Sequence, residues 1–277
     1  MSQINQTERA RLAWQVLIEV AKARGTITYG GLGARIGVHH RAIRYVLGPI
    51  QDYCLESGLP PLTILVVNGT GRPGTGFIAH DTNDLENGLE AVWIYPWIKT
   101  SNPFDFAAEG LSYDGLILTL TKTPDEAGAV YAKVKSRGVQ QILFRDAVRK
   151  AYSWRCAFSG LSFPDALDAC HIVPWAYATP QQRMDVRNGI LLNPLHHRLF
   201  DKAYFTITDD YKIIYWDPTG TDSEHSKLET ALTIKLHNRE MNVPHFRRHR
   251  PLSEYIRLHN ELVGWSSAHA KSTSQKI

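Results

Sequence analysis

The chain has 277 residues, 43% of them apolar, which is enough to bury a substantial core and to form two ordinary domains. Its formal net charge of +4 is compatible with a polyanionic partner but does not by itself identify one. Three cysteines without a CxxC pair argue against an extracellular disulfide framework, so we expect a cytoplasmic protein. No stretch approaches the roughly 20 apolar residues that span a bilayer, and we therefore expect no membrane partner.

The N-terminal hundred residues predict a series of helices followed by a strand. The segment "ERARLAWQVLIEVAKARG" has an apolar helical face, with Gly25 as its C-terminal stop. A short helix then ends near Gly37, another begins near His39, and "LTILVV" is typical of a buried strand. This order is typical of a winged helix, so we predict a winged-helix-like α/β DNA-recognition domain over residues 1–100.

In such modules the helix after the turn enters the major groove of DNA. The candidate DNA contacts are His39, His40, Arg41 and Arg44, with Arg72 in the following glycine-rich loop. A solvated helix face explains the first four residues equally well. Three aromatic residues could stack on a flipped base or belong to the core: Trp14, Tyr29 and Tyr45.

The middle of the chain carries weaker patterns. "LEAVWIYPW" and "LILTLTKT" are interpreted as strands, and "TPDEAGAVYAKV" as a helix that begins near Thr123 or Asp125. Residues 101–138 are taken as a connecting region, residues 139–265 as a second domain and residues 266–277 as a flexible tail. A basic helix within "VQQILFRDAVRKAYSWRC" opens this second domain.

The segment from residue 166 to residue 201 predicts strand, loop, strand and helix. Pro174 ends the first strand because it lacks a backbone donor, and Asn188 precedes the second strand. Pro194 marks the first turn of the helix. On that helix His197 and Asp201 are four residues apart, so their side chains project from the same face and could bind one cation.

Hydrolysis of a phosphodiester needs an activated water and a positive charge near the phosphate. A neutral histidine and a bound metal supply these two requirements, and His171 and His197 can divide the work. The stretches "RCAFSG", "LDACHIVPW" and "RNGILLNPLHHRLFD" resemble the HNH nucleases, whose ββα fold surrounds one divalent metal. The resemblance implies that His171 is the general base, that Asn188 holds the loop that orients it, and that His197 binds the metal.

At the first metal ligand the chain departs from the family's pattern. The residue before the base is often an acid or a histidine in this family and is Cys170 here, so Asp168 and Asp201 rank above it as ligands. We expect one divalent ion, Mg²⁺ first and Mn²⁺ or another transition metal as alternatives. We expect no structural zinc, because Ser159 follows Cys156 where the family's first CxxC pair has its second cysteine, and Asn193 and His196 replace the later pair.

The overall expectation is an α+β chain with an N-terminal winged-helix-like domain and a C-terminal ββα-metal HNH domain. It would be a metal-dependent endonuclease that acts on double-stranded DNA and resembles a restriction enzyme. Dependence on base modification is left open. Arg155 and Arg198 could neutralise phosphates. Cutting both strands favours a homodimer. Two alternatives stay open: a DNA-binding regulator with an inactive HNH-like domain, and a nuclease specific for RNA or for structured substrates.

Overall fold

The structure, a computed structural model, describes residues 4–217 and 225–265. The chain forms two compact units. The first contains Met1–Leu116 and Lys133–Ile142, and the second contains Ile117–Ala132 and Leu143–Ile277, within the described ranges. The tail predicted at residues 266–277 lies outside the described residues. No helix in the described part of the chain is long and apolar enough to cross a membrane.

The first unit is mainly helical. In chain order its elements are α1 (Gln6–Lys22), β1 (Ile27–Thr28), α2 (Tyr29–Ile36), α3 (Ile43–Glu56), β2 (Val66–Val67) and α4 (Leu85–Ile94). Asn5 begins α1, because its side chain accepts hydrogen bonds from two backbone N–H groups of the first turn. Trp14 lies in the core at edge-on contacts with Tyr53, Trp97 and Phe104, so aromatic packing joins α1 to its neighbours.

Several predictions for the first unit need correction. Gly25 is not the helix stop, because α1 ends at Lys22 and Arg24 takes the left-handed conformation with φ of 51°. Gly37 does end α2 in that conformation, as predicted. Most of "LTILVV" is a 3-10 turn over Leu62–Leu65, and only Val66–Val67 is a strand. That strand pairs in parallel with β1.

The two strands predicted in the middle of the chain are wrong. "LEAVWIYPW" lies in α4 and the turn after it, and "LILTLTKT" lies in α5 (Tyr113–Lys122). Leu116 and Leu120 are buried while Leu118 is exposed, which is helical spacing that the alternating letters conceal. The helix predicted after Thr123 exists as a 3-10 turn and α6 (Ala127–Lys133).

The second unit contains the predicted strand, loop, strand and helix. Its elements after α7 (Arg137–Ala151) are β3 (Asp168–His171), α8 (Pro180–Met184), β4 (Gly189–Leu192) and α9 (Pro194–Asp201). They are followed by β5 (Phe205–Ile207), β6 (Ile213–Tyr215), α10 (Lys227–Leu232) and α11 (Ser253–Leu262). β3 and β4 are antiparallel, with Asp168 opposite Leu192 and His171 opposite Gly189. β4 is buried along its whole length, so the hairpin rests on the core of this unit.

Candidate active site

Two elements position the candidate metal ligands. Alternation along β3 directs the side chains of Asp168 and Cys170 to the same face of the hairpin. Asn193 caps α9 by accepting a hydrogen bond from the backbone N–H of His196, and Pro194 occupies the first turn, as predicted. The hairpin and the helix packed on it therefore determine where His197 and Asp201 lie.

The structure brings the four predicted ligands together. Nδ1 of His197 lies 3.2 Å from Oδ2 of Asp168, and Nε2 lies 3.5 Å from Oδ2 of Asp201. Sγ of Cys170 lies 3.9 Å from Oδ1 of Asp201. The ligand atoms of Cys170, His197 and Asp201 all lie within 4.8 Å of one another, which is close enough for one ion.

The donor set fits a divalent cation. The side chains of Asp168 and Asp201 are 45% and 55% exposed, so their oxygens can be reached from solvent. Cys170 is buried, and burial followed by the negative charge of Asp201 raises the pKa of its thiol well above the ordinary value. Two carboxylates and an imidazole suit a hard or borderline cation, whereas adding Cys170 gives a set that zinc also accepts.

His171 ends β3 in a different environment from the ligands. Its ring stacks on Phe144 with centroids 3.7 Å apart and meets Trp175 edge-on. Nε2 lies 3.1 Å from the carbonyl oxygen of Arg183, and since a carbonyl only accepts, Nε2–H is the donor. The lone pair is then on Nδ1, the nitrogen available to accept a proton.

Burial lowers the pKa of His171 to about 4, and positive charge at His197 and Arg183 acts in the same direction. The imidazole is therefore neutral near pH 7, which a general base requires.

Asn188 is fully buried just before β4, where it connects both ends of the loop between the strands. Its Oδ1 accepts from the backbone N–H of Val173 at 2.8 Å, and its Nδ2 donates to the carbonyls of Val173 and Gln182 at 3.2 and 2.9 Å. Val173 is two residues beyond His171, and Gln182 is next to Arg183, the hydrogen-bond partner of His171. Asn188 thus holds the two backbone segments that orient the imidazole.

A buried ion pair fixes the same loop. Asp185 accepts from the guanidinium of Arg187, with a shortest distance of 2.7 Å, and from the hydroxyl of Tyr255 at 3.0 Å. Arg187 also pairs with Asp125 at 2.7 Å. The loop that carries Asn188 is therefore held by Tyr255 through Asp185 and by Asp125 through Arg187.

Cys156 and His196 occupy positions where many HNH proteins carry zinc-binding cysteines. Cys156 is buried, and its sulfur accepts a hydrogen bond from the backbone N–H of Asn193 at 3.3 Å. Burial raises the pKa of this thiol, but hydrogen bonds with His196 and Ser159 outweigh that effect and bring the pKa to about 7. His196 is also fully buried. Its Nε2–H donates a hydrogen bond to the carbonyl oxygen of Leu232 at 2.9 Å, so the ring has a structural role.

The predicted DNA contacts are exposed in both units. In the first unit His39, His40, Arg41 and Arg44 lie on the turn before α3 and on its first residues, and Arg72 lies in the glycine-rich loop. In the second unit Arg155 and Arg198 are exposed, the latter on α9. Of the three aromatic candidates, Trp14 is core, Tyr45 is exposed beside Arg44, and Tyr29 is half-buried.

Sequence reasoning missed the supports of His171. The stacking ring of Phe144 comes from a helix with no motif of its own. The carbonyl of Arg183 is a backbone group that any residue provides. No signal in the sequence identifies either contact.

Comparison with known families agrees with this geometry. The sequence model of the HNH endonuclease family matches residues 156–208, which include the hairpin and α9. The chain carries an HNH endonuclease domain. Enzymes with this domain are phosphodiester hydrolases that act on DNA with a divalent metal.

The match to the HNH model covers residues 156–208 of the second unit. Among solved structures, the modification-dependent TagI restriction endonuclease is similar, with 20% sequence identity and a TM-score of 0.29. That similarity covers 43% of this chain and 37% of the TagI chain. A search of curated proteins gave no match.

Proposed function

We propose that the chain is a restriction endonuclease that hydrolyses phosphodiester bonds of double-stranded DNA at the site formed by β3, β4 and α9. The observation that carries this proposal is the pairing of His197 with Asp168 and Asp201, together with the buried His171 at the end of the strand that carries Asp168. The cluster provides a place for a cation, and the buried histidine provides a base, as phosphodiester hydrolysis requires.

His171 is the general base in this proposal. Its Nδ1 takes a proton from a water molecule as the water oxygen attacks phosphorus, and one P–O ester bond of the backbone breaks. The leaving oxygen then takes a proton from solvent, so the products are a phosphate monoester and an alcohol. Asn188 and the carbonyl of Arg183 keep the imidazole in the orientation that this step needs.

Asp168, His197 and Asp201 are the residues that would hold the metal, with Cys170 behind them. When bound, a divalent cation supplies positive charge to the scissile phosphate and its leaving oxygen. The two carboxylates and the imidazole favour Mg²⁺ or Mn²⁺, whereas participation of Cys170 would favour zinc. Titrating the protein with each ion by calorimetry, and repeating the titration with Cys170→Ala, discriminates between these sets.

The N-terminal residues are proposed to bring the enzyme to DNA. Arg41 before α3 and Arg44 in its first turn are exposed and support a winged-helix-like recognition role for the first unit, and the exposed Arg155 and Arg198 support phosphate contacts in the second unit. One site per chain nicks one strand, so a homodimer that cuts both strands follows as part of the proposal. The domain limits predicted from the sequence also stay a prediction.

The test is a nicking assay on supercoiled plasmid with Mg²⁺ or Mn²⁺, in methylated and unmethylated forms, with and without EDTA. We expect metal-dependent nicking that His171→Ala abolishes while DNA binding persists. His245→Ala, which changes an exposed histidine of the same unit, is the control and keeps the parental rate. Binding without nicking under every condition would instead support a DNA-binding regulator with an inactive domain.

A further inference from the structure

The first unit contains a cavity of about 460 Å³ that the catalytic proposal does not use. One wall is α3 with the turn before it, a second is Tyr29, and a third is the loop from Gly74 to Phe77. This volume lies within the range of small-molecule sites in proteins. We call it the first-unit cavity.

The mouth of the first-unit cavity is cationic. His40, Arg41 and Arg44 line it and are exposed, and no acidic side chain is among its described lining residues. The guanidinium of Arg44 lies over the ring of Tyr45, 4.6 Å from its centroid, which holds the charge in place. Such a mouth suits a ligand that carries phosphates on either side of an inserted group.

The walls of the cavity are held by hydrogen bonds. The backbone N–H of Gly74 donates to the Tyr29 hydroxyl at 3.1 Å, and a Cβ at Gly74 would lie only 2.6 Å from that oxygen. Gln51 accepts from the N–H of Ile78 at 3.2 Å and donates to the carbonyl of Gly76 at 3.4 Å. The loop is thus fixed against Tyr29 and α3, and the cavity exists before any ligand arrives.

Thr63 places a polar group without a partner beside the cavity. Its side chain lines the cavity and is 3% exposed, yet its hydroxyl has no hydrogen-bond partner among the described residues. A buried hydroxyl without a partner costs free energy, so such groups in native proteins call for an explanation. The hydroxyl oxygen is itself covered, and a rotation about the Cα–Cβ bond would turn it towards the cavity, where a donor or acceptor on the edge of a ligand would satisfy it.

We propose that the first-unit cavity receives one nucleobase turned out of the DNA duplex. Tyr29 and Phe77 offer aromatic rings to a planar ligand, Thr63 offers a hydrogen bond to its edge, and Arg41 and Arg44 offer charge to the flanking phosphates. This inference rests on the DNA binding in the proposed function, and it assigns to the first unit the reading of a single base.

The test uses short duplexes that each contain one unpaired base, chosen from A, C, G, T, 5-methylcytosine and 5-hydroxymethylcytosine. A 2-aminopurine placed next to that base in the same strand becomes brighter when its neighbour leaves the stack. An unpaired base costs least to turn out, so we expect at least one duplex to bind about tenfold more tightly than its matched form, with a fluorescence rise. Unchanged fluorescence with all six duplexes at saturating protein would overturn the proposal.

Variants separate the cavity from a general effect on folding. Thr63→Val removes a hydroxyl that has no partner in the free protein, so its thermal stability should be unchanged or higher. We expect Thr63→Val to lower the preference for the unpaired base three- to tenfold without changing affinity for the matched duplex. Thr63→Ser keeps the hydroxyl and should keep the preference. An unaltered preference in Thr63→Val would contradict the role of this residue.

Charge variants test the mouth of the cavity. Arg44→Gln should weaken binding to matched and unpaired duplexes alike and reduce the salt dependence. The control is Arg35→Gln, an exposed arginine of the same unit that pairs with Glu19. Equal affinities for the two variants would contradict a DNA contact at Arg44.

The outcomes of this test and of the nicking assay are independent. His171→Ala, which should not cut, must still raise the 2-aminopurine signal if the cavity receives a base. A wild-type protein that nicks plasmid without any fluorescence rise would remove this inference and leave the proposed function. A fluorescence rise without nicking of plasmid would keep this inference and remove the proposed function.

Discussion

Asn188 offers the sharpest test of how the fold supports the site. Its side chain is fully buried and makes three hydrogen bonds to the backbone of Val173 and Gln182. At about 1 kcal/mol for each bond, Asn188→Ala should lower the free energy of unfolding by about 3 kcal/mol. The loss would be larger if the freed backbone groups stay dry, because an unpaired buried group costs about 1–3 kcal/mol.

Asn188→Asp provides a matched comparison because it preserves shape. The carboxylate can still accept from the N–H of Val173, but it places an oxygen against two carbonyls where Nδ2 donated. We therefore expect it to destabilise the unit at least as much as alanine does. Urea unfolding followed by circular dichroism measures the stability of both variants. In the nicking assay we expect both variants to be less active than the parent, because His171 loses the backbone support that orients its ring. Unfolding free energies within about 0.5 kcal/mol of the parent for both variants would refute this account of Asn188.

The remaining predictions concern packing, charge and pH. Gly189→Ala would place a Cβ 2.4 Å from Cγ2 of Val148, so overpacking should cost about 1–3 kcal/mol in urea unfolding, and parental stability would contradict the close packing seen here. Asp185→Asn breaks a buried pair with Arg187 and should cost about 3–5 kcal/mol, whereas a loss below about 1 kcal/mol would show that Asp125 compensates. Burial lowers the pKa of His259 to about 4, from about 6.5 in the unfolded chain. The unfolded state therefore binds the extra proton between these values, and stability should rise by about 3 kcal/mol as pH increases from 4 to 6.5. His171 contributes to the rise over the same interval, so His259→Gln should remove only its own share from thermal unfolding curves, and an unchanged pH profile would contradict the assignment.

The nuclease region was predictable because local signals mark each of its boundaries. β3 ends at His171, three residues before Pro174, and Pro194 occupies the first turn of α9, where proline's missing N–H costs no hydrogen bond. Spacing of two along a strand and four along a helix then places the side chains of Asp168, Cys170, His197 and Asp201 on converging faces. These are short-range rules, and the hairpin and helix obey them.

Elsewhere the determining contacts are distant in sequence. The alternating letters of the apolar run in α5 favour a strand, because they do not reveal which side chains the core buries. The unpaired hydroxyl of Thr63 is a property of packing in the first unit, and nothing in its neighbouring residues indicates it. Sequence patterns therefore identified the site of proposed catalysis but not the first-unit cavity.

Burial separates the roles of the two central histidines. His171 stacks on Phe144 and loses its hydration, so the neutral form is favoured, and its one carbonyl contact decides which nitrogen carries the proton. His197 lies between Asp168 and Asp201, whose exposed carboxylates attract positive charge. Two formal negative charges match one divalent cation without a thiolate from the buried Cys170. The substitution at that position is thus compatible with a working metal site, and Cys170→Ala should preserve nicking while Asp201→Ala abolishes it.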